Sequence, residues 1–189
     1  MRTLLSKSTP ACVALALTAL GAPALAQHVH SAPNSAAMAP LVEKVRTVTA
    51  KYADVAVATK EGWVQATPCV SSPNAGAMGV HYVLPSRVGD GAINASEPEA
   101  LIYEPQANGS LRLVGVEYIV IAADWARSHK EGGTPSVDGH LMHYVSEPNR
   151  YGLPAFYEMH VWAWERNPSG HFVDFNTKVT CDNQAASPS

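Results

Sequence analysis

Four polar side chains in this sequence sit where apolar ones would be expected, and their types are those that bind metals or move protons. Two occur in Phe156-Tyr-Glu-Met-His-Val-Trp-Ala-Trp-Glu165. Read as a strand, this stretch points Glu158, His160, Trp162 and Trp164 to one face. A third is His81 in Gly79-Val-His-Tyr-Val-Leu84, on the face opposite Val80, Tyr82 and Leu84. The fourth is Glu117, the lone charge among Leu113, Gly115, Ile119 and Ile121 on one face of a long apolar run. A charge so placed must be paired, protonated or bound to a cation.

Two imidazoles and one or two carboxylates suit zinc, copper or ferrous iron. His81, Glu117 and His160 are the candidate ligands, and Glu158 is a candidate general base. The alternative is a metal-free polar network, in which Glu117 accepts from His81 and His160 packs against Trp162. The residues are scattered along the chain, unlike a C-x-x-C or H-E-x-x-H motif, so spacing alone does not choose between these readings.

Other candidates are weaker. His143, in His140-x-x-His143, can reach such a site from a loop-to-strand transition, while solvated loop histidines are the simpler expectation. Trp162 and Trp164 can stack on a ligand ring or pack into the core. His28 and His30 offer a weak copper site near a new amino terminus, or simply lie in a floppy leader. His129 and His171 have no evident partner and are expected at the surface. Asn94-Ala-Ser96 and Asn108-Gly-Ser110 match a glycosylation sequon. There is no G-x-S-x-G, no phosphate-binding glycine loop and no cysteine nucleophile free of a disulfide.

These residues need a rigid frame. Leu41, Val45, Val48, Tyr52 and Val55 recur at helical spacing between Pro40 and Gly62. The sequence predicts strands at Trp63–Ala66, Gly79–Leu84, Ala100–Tyr103, Leu111–Ala122, Ala155–Glu165 and His171–Val179. Asn108-Gly109 and Asn167-Pro-Ser-Gly170 are turn signals between the neighbouring strands. Residues 123–154 read as a long insertion. The expected class is α+β: an N-terminal helix packed on a curved, mostly antiparallel sheet or partial barrel.

Arg2 and Lys7 precede an apolar run from Ala11 to Leu20, and Ala24-Leu25-Ala26 fits a signal cleavage site. The expected organisation is a signal peptide (1–26), a flexible leader (27–39), one domain (40–183) and a disordered tail (184–189). Cleavage before Gln27 shifts the formal charge from −3 to −5 by removing Arg2 and Lys7. An acidic chain without a basic cluster is a poor ligand for nucleic acids or anionic membranes. A small molecule or a metal ion is therefore the expected partner, in the periplasm or outside the cell. Cys69 and Cys181 are expected to form a disulfide there.

Gly76-Ala-Met-Gly-Val-His-Tyr-Val83, Pro98-Glu-Ala-Leu-Ile-Tyr-Glu-Pro105 and Leu113-Val-Gly-Val-Glu-Tyr118 carry a resemblance, together with His160-Val-Trp-Ala-Trp164, Asn167-Pro-Ser-Gly170 and Cys181. On these motifs the chain resembles an uncharacterised family of exported bacterial proteins. The resemblance implies export and a single domain. It brings no activity, ligand or mechanism.

Overall fold

The computed structural model describes residues 39–184. The expected signal peptide, cleavage site and nearly all of the leader and tail lie outside them. Helix α1 (Pro40–Thr49) begins with proline in its first turn, carries Glu43 there, and buries Leu41, Val42 and Val45. The single helix expected up to Gly62 is interrupted. A 3-10 turn (Ala50–Ala53) follows α1, and α2 (Val55–Lys60) starts afresh at Asp54, whose carboxylate accepts from the Ala56 N–H at 2.9 Å. Asp54 is a better N-cap than a mid-helix residue, so it restarts the helix instead of continuing it.

The strands are β1 (Val64–Gln65), β2 (Val70–Ser72), β3 (Gly76–Val83), β4 (Ala100–Pro105) and β5 (Leu111–Ile121), with the short helix α3 (Pro85–Val88) between β3 and β4. Helix α4 (Ala122–Ser128), the small hairpin β6 (Ser136–Val137) and β7 (His140–Leu141), then β8 (His143–Val145) and β9 (Phe156–Val161) complete the chain. The main sheet runs β1-β3-β4-β5-β9-β8, with β2 also on β3, and every pairing is antiparallel. The class is α+β as expected, and the sheet is open, not closed into a barrel.

Its two faces have different fates. Leu101, Tyr103, Val116, Tyr118, Val120, Met159 and Val161 face α1 and form the main core with Leu41, Val42 and Val45. The other face carries Ala100, Ile102, Val114, Ile119 and Phe156, covered by irregular chain: Tyr151 and Leu153 on one side, Val179 and Cys181 on the other. A register shift between Ile102 and Tyr103 pairs Tyr103 with Leu113 and Ile102 with Gly115. This bulge moves Leu113 to the α1 side and Val114 to the opposite side, so Leu113 does not share a face with Glu117 as the unbroken alternation predicts.

Three further sequence expectations are corrected. Strand β9 ends at Val161, short of Trp162–Glu165. Residues 171–179 form no strand. Asn176 pairs with Ala77 through both backbone groups, at 3.0 and 3.2 Å, and its side chain then accepts from the Lys178 N–H at 3.0 Å, turning the chain away. Gly76, at φ +81°, permits this docking, because a Cβ there would collide with the Asn176 carbonyl. The 123–154 stretch is not a plain insertion: β8 within it pairs with β9 and forms a sheet edge. Finally, Cys69 and Cys181 are joined as expected, with Cα atoms 5.6 Å apart across a separation of 112 residues. Closing so long a loop stabilises by about 4–5 kcal/mol in the chain-entropy view.

Candidate functional site

The irregularly covered face holds the polar residues. Register puts Ala100, Glu117 and His160 side by side on β4, β5 and β9, and places His81 on β3 opposite Ile102. His81, Glu117 and His160 are all buried, His160 to 1% exposure. His81 Nε2 lies 3.5 Å from His160 Nε2 and 3.4 Å from Glu117 Oε2. The rings meet nearly perpendicularly, at 88°.

Each imidazole is held from behind. Thr67 Oγ1 sits 3.1 Å from His81 Nδ1 and accepts the His81 backbone N–H at 3.2 Å. With hydrogen on Nδ1, donated to Thr67 Oγ1, the Nε2 lone pair faces Glu117 and His160. On the other side, His160 Nδ1 donates to Glu158 Oε2 at 3.0 Å. A carboxylate behind an imidazole fixes its tautomer and raises its basicity.

Burial, reinforced by the neighbouring His160, pushes the His81 pKa down to about 3. Glu117 is pushed up to about 7, first by burial and then by Glu158 and Asp174, against the pull of His160. Burial acts to lower His160 as well, but Glu117 and the hydrogen bond to Glu158 outweigh it and raise that ring to about 9. A neutral His81 thus faces a cationic His160 set between carboxylates, and the groups titrate together.

Glu158 continues outward. Its Oε1 lies 3.6 Å from Nδ1 of the exposed His143, and Asp174 Oδ1 is 3.9 Å from both His143 and His160. His143 does reach the site from a strand start, as the sequence reading allowed. Asp174 is raised by its own burial and by Glu158. It was missed although it stands alone among Phe172, Val173 and Phe175, the same signal that singled out Glu117. Thr67, on an irregular segment, gave no such signal.

The tryptophans separate. Trp162 remains beside His160, ring centroids 6.3 Å apart and 20° between planes, but is 1% exposed and donates Nε1 to the Val173 carbonyl at 2.6 Å. Trp164 leaves that face. Its Nε1 donates to Thr49 Oγ1 at 3.1 Å, and Arg46 lies over its ring. The end of β9 at Val161 breaks the alternation that would have kept the two together. His171 and His129 are not simply at the surface: both are half-buried, His171 with Nδ1 3.2 Å from the Trp162 carbonyl and His129 stacked on Trp125. His140 packs against Phe172.

A cavity of about 140 Å³ opens onto His81 and Glu117. Val83, Ile119, Leu153 and Phe156 supply its apolar walls. Comparison with protein-family models, curated proteins and solved structures returns no significant match.

Proposed function

We propose that this domain binds one transition metal ion through His81 Nε2, His160 Nε2 and the Glu117 carboxylate. The carrying observation is the spacing of those atoms. His81 Nε2 stands 3.5 Å from His160 Nε2 and 3.4 Å from Glu117 Oε2, beyond good hydrogen-bond range, and the three ligand atoms all lie within 4.8 Å of one another. Ligands about 2.0–2.1 Å from a tetrahedral centre are about 3.3–3.4 Å from each other. A metal-free network would draw the partners closer, as it does where His160 meets Glu158 at 3.0 Å.

Two nitrogens and one carboxylate suit zinc, ferrous iron or copper(II). Two of the three, His81 and Glu117, line the cavity, as an open coordination position requires, and a bound ion would supply Lewis-acid or redox chemistry there. Glu158 serves to orient His160 in this reading. It is a positioning residue in place of the general base considered from sequence, because its carboxylate lies behind the ring, at Nδ1.

Export completes the reading. A disulfide persists in oxidising compartments, which supports the periplasmic or secreted location expected from the signal-peptide pattern of residues 1–26. Among the described residues no helix is long and apolar enough to cross a membrane.

The test uses untagged protein, stripped with a chelator and titrated with zinc, copper(II) and ferrous iron. One equivalent should bind and raise Tm, and His81→Ala or His160→Ala should abolish both effects. If the histidines belong to a structural network, metal shifts nothing, and each variant instead destabilises the metal-free protein by about 1–3 kcal/mol.

A further inference from the structure

The cavity beside the three candidate ligands has a size, a polarity and a charge, and together they select a class of molecule. Its volume of about 140 Å³ is close to the roughly 150 Å³ at which an apolar protein cavity takes up benzene. A hexose, a nucleotide or a peptide would not be enclosed by it. Val83, Ile119, Leu153 and Phe156 form the walls, so most of an occupant's surface meets carbon. The polar lining residues are few: Thr67, His81 and Glu117, which are linked through His81 at 3.1 and 3.4 Å, and Tyr151. Tyr151 already directs its hydroxyl to Met78 Sδ, at 3.6 Å, and Thr67 is engaged with His81. No lysine or arginine lines the space, and Glu117 contributes a carboxyl group. In the metal-free pocket an organic acid or a phosphate ester would therefore meet no lysine or arginine in the lining and would face the Glu117 carboxyl group, at a large desolvation cost.

We propose that this cavity is the substrate pocket of the site and takes a benzene-sized, uncharged molecule with an apolar body and a single hydroxyl head, of the phenol class. The head lies toward Glu117 and His81, and the ring lies among Ile119, Leu153 and Phe156. This assignment rests on the metal reading for what the head meets, and on the cavity alone for occupancy. The two can therefore fail separately.

The experiment uses metal-free protein and phenol as probe, followed by side-chain methyl NMR of Val83, Ile119 and Leu153. Phenol should shift these three signals saturably. Ile119→Phe and Leu153→Trp, which fill the space from a strand and from an irregular segment, should each weaken binding at least about tenfold. Leu153→Trp lies outside regular structure, so it keeps the test sound if Ile119→Phe fails to fold. Benzoate, of similar size but anionic, should also bind at least about tenfold more weakly than phenol. Absence of a saturable shift, shifts centred on other residues, or benzoate binding as well as phenol would each overturn the proposal. Phenol binding by protein that takes up no metal would keep the pocket and remove the metal. Metal uptake without phenol binding would do the reverse.

Discussion

His81 Nε2 and His160 Nε2 face each other at 3.5 Å although β4 and β5 run between their strands. Across a flat sheet, strands three places apart are about 14 Å from each other. The two side chains can meet only if this face is concave and the residue beneath them is small. In the row of Glu117 and His160 the β4 residue is Ala100, fully buried with Val83 on one side and Glu117 on the other, while His81 stands opposite Ile102.

Ala100→Leu should therefore crowd Glu117, its partner on β5, and through it His81. Overpacking costs about 1–3 kcal/mol, so the variant is expected to fold with a lowered Tm. Its metal binding should fall far more than its stability. Thermal melts paired with calorimetric metal titration read both; retained affinity would show that Ala100 does not set the spacing.

Trp162 should report on the site and Trp164 should not. The Trp162 ring stacks beside His160, whereas Trp164 packs toward α1 through Thr49 and Arg46. Copper(II) should quench fluorescence saturably at one equivalent. Trp162→Phe, which loses a hydrogen bond worth about 1 kcal/mol, should remove most of that quenching. Trp164→Phe should leave it intact. Equal loss in both variants would mean that copper binds elsewhere.

The buried cluster of His81, Glu117 and His160 was legible because a charge or imidazole inside an apolar alternating run is conspicuous. His81, Glu117 and His160 each satisfied that rule, and all three are buried on the face opposite α1. The helix-on-sheet class followed from two periodicities that do not depend on detail. What failed were the places where alternation breaks. The bulge at Ile102/Tyr103 reversed Leu113, and the end of β9 at Val161 sent Trp164 to the other side. Residues 171–179 looked like a strand because Phe172, Val173, Phe175 and Val179 are apolar, yet Asp174 and Asn176 spend their polar groups on the site and on a turn. Thr67 and Leu153 reach the site from segments without a period, so no pattern announced them.

A buried carboxyl away from the triad sets a pH dependence of stability. Glu99 is pushed up from 4.5 to about 8, chiefly by burial, while its Oε2 accepts the Ile119 N–H at 2.9 Å. The raised folded-state value means that the native protein holds a proton which the unfolded chain releases. Its contribution is complete below about pH 4.5 and is lost as pH rises toward 8. Glu99→Gln keeps an acceptor for Ile119 and cannot ionise. Urea melts at pH 5 and pH 9 should show a smaller loss of stability for Glu99→Gln than for the parent. An unchanged pH slope would contradict the assignment.

The proposed coordination of a metal by His81, Glu117 and His160 is tested most directly by anomalous diffraction at the zinc edge from crystals of untagged, zinc-loaded protein. A single strong peak is expected between the two Nε2 atoms and the Glu117 carboxylate, about 2.0–2.1 Å from each. Fully loaded crystals with no peak there, and the two rings still facing each other across empty density, would contradict it.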